Sequence, residues 1–446
     1  MSRDLTKGPI TSSLLLFALP MVLGNMLQQF YNVADTLIVG QFLGTTALAA
    51  VGSAYTLMTF LNSILLGLCM GSGILFSICC GQRDEGRLRT GIFLSFSLIG
   101  LLTLALNGAV FAGIDPILRF LQVPADVYEL MRAYLWVIFF GIAATFLYNY
   151  FACLLRAVGN SVVPLAFLAV SALLNIALDL WFVLGLHWGV AGAAWATVIA
   201  QWASGLGIAL YTLARFPALR LRRADCRWDK AVLGEIFRLS SLTCMQQSVM
   251  NFGILMVQGL VNSFGTAVMA AFAAAVKIDS FAYMPTQEFG NAFSTFVAQN
   301  YGAARQDRIR RGIRAALVTA TAFGLVTSAV VCLLARPLML IFVPAGEAEV
   351  LRIGMEYLRI EGLFYCLIGY LFLLYGLYRA LRRPGMSVVL TVISLGTRVA
   401  LAYALSAIPA IGVLGIWASV PIGWFLADAV GFAVYALTVR KAPARP

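Results

Sequence analysis

Charged side chains are scarce in this sequence. Only 11% of its 446 residues are Asp, Glu, Lys or Arg, whereas soluble domains contain about 25%. The stretch from Thr36 through Gln82 contains no charged residue at all. Its length suits two membrane crossings of about twenty residues each, joined by a short turn. The composition therefore excludes an ordinary soluble domain and predicts an integral membrane protein.

Residue types that build metal sites and active sites are few or badly spaced. Seven of the eight cysteines lie in apolar stretches and Cys226 lies in a basic loop, without metal-ligand spacing or a disulfide framework. The single histidine, His187, falls in a short predicted turn. An intramembrane enzyme would need a converging nucleophile, base or metal set. We therefore expect neither enzymatic activity nor a bound cofactor.

Apolar runs separated by turn residues predict an all-α protein with twelve transmembrane helices. The predicted ranges are 10–42, 46–80, 91–113, 131–155, 160–186, 189–213, 235–262, 268–301, 311–343, 352–380, 385–408 and 412–440.

Lysines and arginines collect in alternate gaps between these helices. The clusters are Arg3 and Lys7; Arg83, Arg87 and Arg89; Arg156; the stretches 215–238 and 305–314; Arg379, Arg382 and Arg383; and Arg440, Lys441 and Arg445. Because positively charged loops stay in the cytoplasm, both termini are predicted to be cytoplasmic. The net charge of +12 is thus interpreted as a topology signal, and no nucleic-acid partner is expected.

The second half of the sequence repeats the first. Aligning the halves places Gly44 on Gly265, Arg87 on Arg308 and, two residues out of step, Arg156 on Arg379. The repeat predicts two parallel six-helix lobes, 1–214 and 235–446, joined by a basic cytoplasmic linker over 215–234. Parallel repeats of this kind are one architecture of secondary transporters, whose lobes rock about a central cavity. A duplicated channel or enzyme is the alternative.

Two predicted helices of the first lobe carry polar stripes that end in an acid. In the first helix, residues spaced three or four apart share one face, and Pro20 opens the stripe and favours a bend. This stripe consists of Met21, Asn25, Gln28, Asn32 and Asp35. In the fifth helix Asn175 and Asp179 are four apart, and the sixth helix adds Thr197.

Acids at membrane depth cost roughly 2.5–3.5 kcal/mol each on insertion scales, so a structural or functional reason is expected for them. Amides and hydroxyls alone are equally well explained by hydrogen bonds between helices. Two acids without a Lys or Arg in the same helices favour ion binding, either of a proton or of Na⁺ held between them. The stripes therefore predict a cation site that includes Asp35 and Asp179.

The second lobe does not repeat this pattern, because Met256 aligns with Asp35 and Ala402 with Asp179. Its own charged residues are expected to neutralise one another. The expected pairs are Lys277 with Asp279, and Arg398 with Glu361 or Asp428. Glu288 has no evident partner in the sequence and is a candidate for substrate contact.

Several stretches resemble the multidrug and toxic compound extrusion (MATE) family, most closely its DinF-like branch. They are LPMVLGNMLQQFYNVADTLIVGQFLGTTALAAVG (19–52), LLNIALDLWFVLGLHWGVAGAAWATVIAQ (173–201) and FVAQNYGAARQDRIRRG (296–312). The resemblance implies a MATE-type fold with a cation-coupling network in the first lobe. The matching residues are Asp35, Asp179, Asn175, Tyr134 and Thr197, with Na⁺ possible at the first three.

The resemblance also implies a substrate cavity and a function. Cavity positions would be Gln28, Asn32, Met21, Tyr31 and Glu288, with helix bending at Pro20. The implied activity is export of amphipathic organic cations in exchange for H⁺ or Na⁺, by a monomer in the bilayer of the bacterial inner membrane. The nearest alternative is a lipid-linked oligosaccharide flippase, which Arg398 would favour and the first-lobe acids oppose. A passive channel is a further alternative.

Overall fold

The computed structural model describes residues 4–120 and 123–439, and within these ranges all regular secondary structure is helical. The predicted all-α membrane fold is therefore confirmed. The predicted positions of Arg3, Arg440, Lys441 and Arg445 lie outside the described residues.

The first half of the chain contains eight α-helices. They are α1 (Ile10–Leu43), α2 (Thr45–Gln82), α3 (Glu85–Ala112), α4 (Ile114–Phe120), α5 (Ala125–Ile138), α6 (Ile142–Ala157), α7 (Val162–Asp179) and α8 (Gly189–Arg215). A 3₁₀ turn, Phe139–Gly141, joins α5 to α6, and a π-helical turn, Leu180–Gly185, extends α7.

The second half contains eight more. They are α9 (Lys230–Asn262), α10 (Thr266–Gly302), α11 (Gln306–Leu333), α12 (Ala335–Leu340), α13 (Ala348–Gly362), α14 (Tyr365–Ala380), α15 (Pro384–Ser406) and α16 (Val413–Val434). A bend of 52° separates α13 from α14.

Each of the twelve predicted ranges coincides with a helix or with two consecutive helices. Ten of the described helical segments are long and apolar enough to cross a membrane, and the bent pair α13–α14 makes an eleventh. The remaining predicted crossing is α9, which is 33 residues long but carries the polar residues Gln246, Gln247 and Asn251 in its middle. The short helices α4 and α12 were not predicted: α4 falls in a predicted loop that carries Asp115 and Arg119, and α12 falls inside the continuous apolar run 311–343.

The turns between α1 and α2 and between α9 and α10 are equivalent in the repeat. Gly44 and Gly265 precede the second helix of each pair with φ angles of 88° and 98°. Glycine adopts such positive angles without the steric cost that a side chain would add. The aligned glycines therefore make the same tight turn in both halves.

The fold divides into two compact units. Unit 1 includes Leu23–Cys244, and unit 2 includes Leu5–Val22 together with the chain from Met245 onward. The division thus falls inside two continuous helices, α1 and α9. The lobes at 1–214 and 235–446 and their linker stay predictions.

Packing within unit 1 places polar residues of four helices near one another. Helix α7 packs along α8, and α8 also contacts α5. A methyl group added at Gly24 of α1 would lie 3.6 Å from Leu168 and 3.7 Å from Leu165 of α7. The part of α1 around Gly24 therefore lies against α7.

Candidate cation and substrate sites

Asn175 and Asp179 occupy one face of α7 and are turned towards α8. Asp179 has no exposed surface and Asn175 is 1% exposed. With its amide oriented to satisfy both ends, Asn175 donates from Nδ2 to Asp179 Oδ2 at 2.8 Å. Its carbonyl oxygen accepts from the Thr197 backbone N–H at 3.1 Å and from the Thr197 hydroxyl at 3.2 Å. The amide nitrogen of Asn175 must face Asp179, because a carboxylate accepts hydrogen bonds and does not donate them.

Helix α1 brings a second carboxyl to this position. The carboxyl groups of Asp35 and Asp179 lie within hydrogen-bonding distance of each other. Tyr31, one turn earlier on α1, hydrogen-bonds the side chain of Thr197. The buried ring of Tyr134 on α5 ends close to Tyr31 and to both carboxyls. The five residues predicted to form the cation-coupling network thus lie together, with Tyr31 as a sixth.

This cluster contains two acidic side chains. Among the described residues, no Lys or Arg lies close enough to Asp35 or Asp179 to compensate their negative charge. Two carboxylates in contact repel each other, so the pair is stabilised when it holds a proton or a cation. The surrounding carboxyl, amide and hydroxyl oxygens are the ligand type that hard cations accept. The arrangement can therefore bind and release one positive charge.

The predicted substrate-cavity residues are distributed over both units. Gln28 is exposed, and Asn32 and Tyr31 are half-buried, on the part of α1 that belongs to unit 1. Met21 is buried in unit 2, and Glu288 is half-buried on α10 of the same unit. These assignments stay predictions.

Helix α1 is continuous through Pro20. The bend predicted at this residue stays a prediction. The boundary between the two units, after Val22, lies two residues beyond the proline.

Unit 2 contains a second group of buried acids, which the sequence did not pair correctly. Asp279 on α10 accepts a hydrogen bond of 2.8 Å from the Tyr365 hydroxyl at the start of α14. Glu361, at the end of α13, is hydrogen-bonded to Tyr357. Arg398 lies near both acids. The tyrosines were missed because an aromatic residue in an apolar helix gives no signal that distinguishes hydrogen bonding from packing.

The expected neutralisation of Asp279 by Lys277 is wrong. Residues two apart on an α-helix point about 200° away from each other. The Lys277 ammonium instead lies 5.9 Å from the centre of the Phe342 ring. Neither side chain takes part in a salt bridge within the described ranges.

The expected pairing of Arg398 is met only in part. Its charge lies near Glu361, but among the described residues Arg398 makes no salt bridge with Glu361 or Asp428, and its buried Nε has no hydrogen-bond partner. Both carboxylate oxygens of Asp428 are buried and likewise lack partners there. Separation along the chain could not indicate how these side chains are oriented. The described residues also contain no cluster of three or more His, Cys, Asp or Glu that suits a metal ion.

A duplicated, all-helical membrane protein with ionisable residues buried in its spans has the character of a secondary transporter. The MatE family model matches residues 20–181 and, a second time, residues 243–404. The chain therefore belongs to the MatE family, whose members are transporters rather than enzymes. The double match also confirms that the two halves repeat one another.

Relatives and solved structures agree with this family. The chain is 28% identical to the probable multidrug resistance protein YoeA of Bacillus subtilis, over 98% of this chain and 96% of that protein. It is 25% identical to a FAD transporter of Shewanella oneidensis, over 98% and 96% respectively. A MOP-superfamily transporter from Pyrococcus furiosus has the same fold, with a TM-score of 0.92 over 99% of both chains at 22% identity.

Proposed function

We propose that this protein exports amphipathic organic cations across the bacterial inner membrane in exchange for H⁺ or Na⁺, with Asp35 and Asp179 as the coupling carboxyls. The contact between these two acids carries the proposal. They come from different helices, lie within hydrogen-bonding distance and have no basic residue beside them among the residues that the structure describes. The names of relatives such as YoeA support multidrug efflux.

The two acids have different roles in this proposal. Asp179 is fully buried and anchored by Asn175, which is in turn held by Thr197. Asp35 is only half-buried and lies on α1, the helix that contains Pro20. The coupling ion therefore enters at Asp35 and is shared with Asp179. The ion draws α1 towards α7 when it binds and releases α1 when it leaves.

Exchange requires that the coupling ion and the substrate each lower the affinity of the protein for the other. A substrate cation near Asp35 competes with H⁺ or Na⁺ for the same negative charge. Export follows if the ion binds from outside, displaces the substrate there and leaves to the cytoplasm. The first-lobe position of the acids also supports the DinF-like branch, and it opposes a flippase, which would hold a pyrophosphate with basic residues.

The first test is ethidium efflux in proteoliposomes under an imposed pH gradient or an imposed Na⁺ gradient. Wild type is compared with Asp35→Asn and Asp179→Asn. We expect gradient-driven efflux by wild type. Both variants should show the rate of protein-free liposomes, because a neutral amide cannot bind and release H⁺ or Na⁺ as a carboxylate does. The gradient that drives wild type identifies the ion.

Glu129→Gln is the matched control, because it removes an exposed carboxyl from α5, the helix that carries Tyr134. This variant is expected to transport like wild type. Efflux at the wild-type rate by both aspartate variants would overturn the coupling assignment.

A further inference from the structure

Unit 2 contains a cavity of about 660 Å³ that the cation site does not use. One wall is the first part of α10, and the other is the segment that leads from α12 into α13. The α10 wall is formed largely by small side chains, among them Ala267, Ala270 and Ala274. The opposite wall presents Phe342. The volume lies within the range of about 300–1,000 Å³ that is usual for small-molecule sites.

Charges of opposite sign come from the two walls. Lys277 projects from α10, whereas Glu347 and Glu349 belong to the segment before and at the start of α13. The Lys277 side chain is exposed, and it makes no salt bridge in the described part of the chain. Its ammonium lies over the face of Phe342, at 5.9 Å from the ring centre. The lysine is therefore available to an anionic group in the cavity.

The repeat shows that the helix architecture does not require this lysine. In the alignment that places Gly44 on Gly265, Lys277 falls on Thr56 of α2. Both helices form the same transmembrane element, but only the one in the second half carries a cation there. A charged residue inside a span is costly, and such residues commonly mark a substrate pathway.

The lining defines the chemistry of a ligand. An ammonium group pairs with a carboxylate or phosphate through charge-assisted hydrogen bonds. The alanines and Phe342 suit a flat apolar body, and Glu347 and Glu349, which line the same cavity, suit a positive group. An aromatic zwitterion meets all three requirements, whereas a simple organic cation leaves Lys277 unpaired.

We propose that this cavity is a binding site for aromatic zwitterions and that Lys277 binds their anionic group. The inference rests on the proposed export function and adds aromatic zwitterions to the organic cations proposed as its substrates. Its site lies entirely in unit 2, and the coupling carboxyls lie in unit 1. The two proposals can therefore fail separately.

The test uses two dyes that differ at one group. Rhodamine 110 carries a free carboxylate, and rhodamine 123 is its methyl ester. Binding of each dye to purified protein in phosphatidylcholine nanodiscs is measured by fluorescence anisotropy. We expect Lys277→Met to weaken rhodamine 110 binding about tenfold, the usual effect of losing a hydrogen bond between charged groups. Rhodamine 123 binding should stay unchanged, which also shows that the variant is folded.

Two further variants complete the comparison. Lys277→Arg should retain most of the rhodamine 110 affinity, because it keeps the charge. Lys230→Met removes an exposed lysine outside the cavity and should leave both affinities unchanged. Asp35→Asn separates the proposals, because it should abolish gradient-driven efflux and preserve the Lys277-dependent binding of rhodamine 110.

Two results would overturn the site. One is unchanged rhodamine 110 binding by Lys277→Met, and the other is an equal loss of both dyes. Nanodiscs that contain phosphatidylglycerol separate a transported molecule from a lipid headgroup. If that lipid displaces rhodamine 110 from wild type and has no effect on Lys277→Met, the occupant is a lipid and the assignment to a small molecule is wrong.

Discussion

Individual buried polar side chains in this protein are matched to specific partners, both one turn away on the same helix and on other helices. Asn175 satisfies Asp179 with its amide nitrogen and Thr197 with its oxygen. In unit 2 the Tyr365 hydroxyl donates to Asp279 at 2.8 Å, and both residues are buried. A buried polar group left without a partner costs free energy. These pairs therefore stabilise the positions of the helices that carry them.

At the residue scale we predict that Tyr365→Phe lowers the stability of the protein. The change removes the hydroxyl that donates to buried Asp279 and leaves the packing of the ring intact. The expected loss is about 1–3 kcal/mol in the free energy of unfolding. Thermal unfolding in detergent measures it. Tyr403→Phe is the matched control, because Tyr403 is 50% exposed on α15. Equal unfolding temperatures for both variants would contradict the prediction.

The residues predicted for the candidate cation site lie together, whereas the pair Lys277 and Asp279 of the second half does not. Asp35 and Asp179 stand out because each ends a polar stripe of three- and four-residue spacing; the sixth helix added Thr197, and the family resemblance added Tyr134. Lys277 and Asp279 were paired only because they are close in the chain. Helix geometry turns residues two apart to different sides, so that pairing was wrong.

Among the elements of unit 1, α2 and α9 approach each other closely enough to bring their backbones into contact. Gly67 and Gly71 of α2 face the backbone of Cys244 and Ser240. Ser72 adds a hydrogen bond of 3.1 Å to the Ser240 hydroxyl. Small residues four apart commonly allow membrane helices to pack closely. The first part of α9 is thereby fixed to α2.

At the element scale we predict that Gly71→Ala is destabilising. The added methyl group would clash with the backbone of Ser240, and overpacking of this kind costs about 1–3 kcal/mol. Gly52→Ala on the same helix is the control, because no atom lies within 4 Å of its added methyl group. Thermal unfolding should show a lower midpoint for Gly71→Ala only. An unchanged midpoint would mean that α9 can move away from α2 at little cost.

The two halves also resemble each other in the contacts that hold the beginnings of α1 and α9. Arg308, at the start of α11, donates to the backbone carbonyls of Leu5, Lys7 and Gly8 at 3.2, 2.6 and 2.8 Å. Arg87, its counterpart in the alignment, binds Glu235 of α9 at 2.6 Å. In each half, the equivalent arginine therefore holds the beginning of a long helix. Arg308 holds the segment before α1 in unit 2, and Arg87 holds α9 in unit 1.

At the scale of the whole molecule we predict that Arg308→Gln loosens the segment before α1. The amides of residues 5–8 should exchange with solvent about tenfold faster, because hydrogen bonds from a charged group are lost. Hydrogen exchange with mass spectrometry measures the effect. Arg314→Gln removes an exposed arginine from the same helix and should leave the exchange unchanged. Equal exchange in both variants would show that the segment is held by other contacts.

The sequence by itself determined the class of protein, the positions of the long apolar helices and the repeat. It could do so because a membrane span must be apolar and must satisfy its backbone hydrogen bonds within the helix, so each span is recorded in a continuous stretch of chain. Tertiary structure decided the partners of Asp279, the bend between α13 and α14, the contact of Gly71 with α9 and the cavity beside Lys277. Those features depend on how each helix is rotated and on which distant elements it packs against. The local spacing of apolar residues indicates neither.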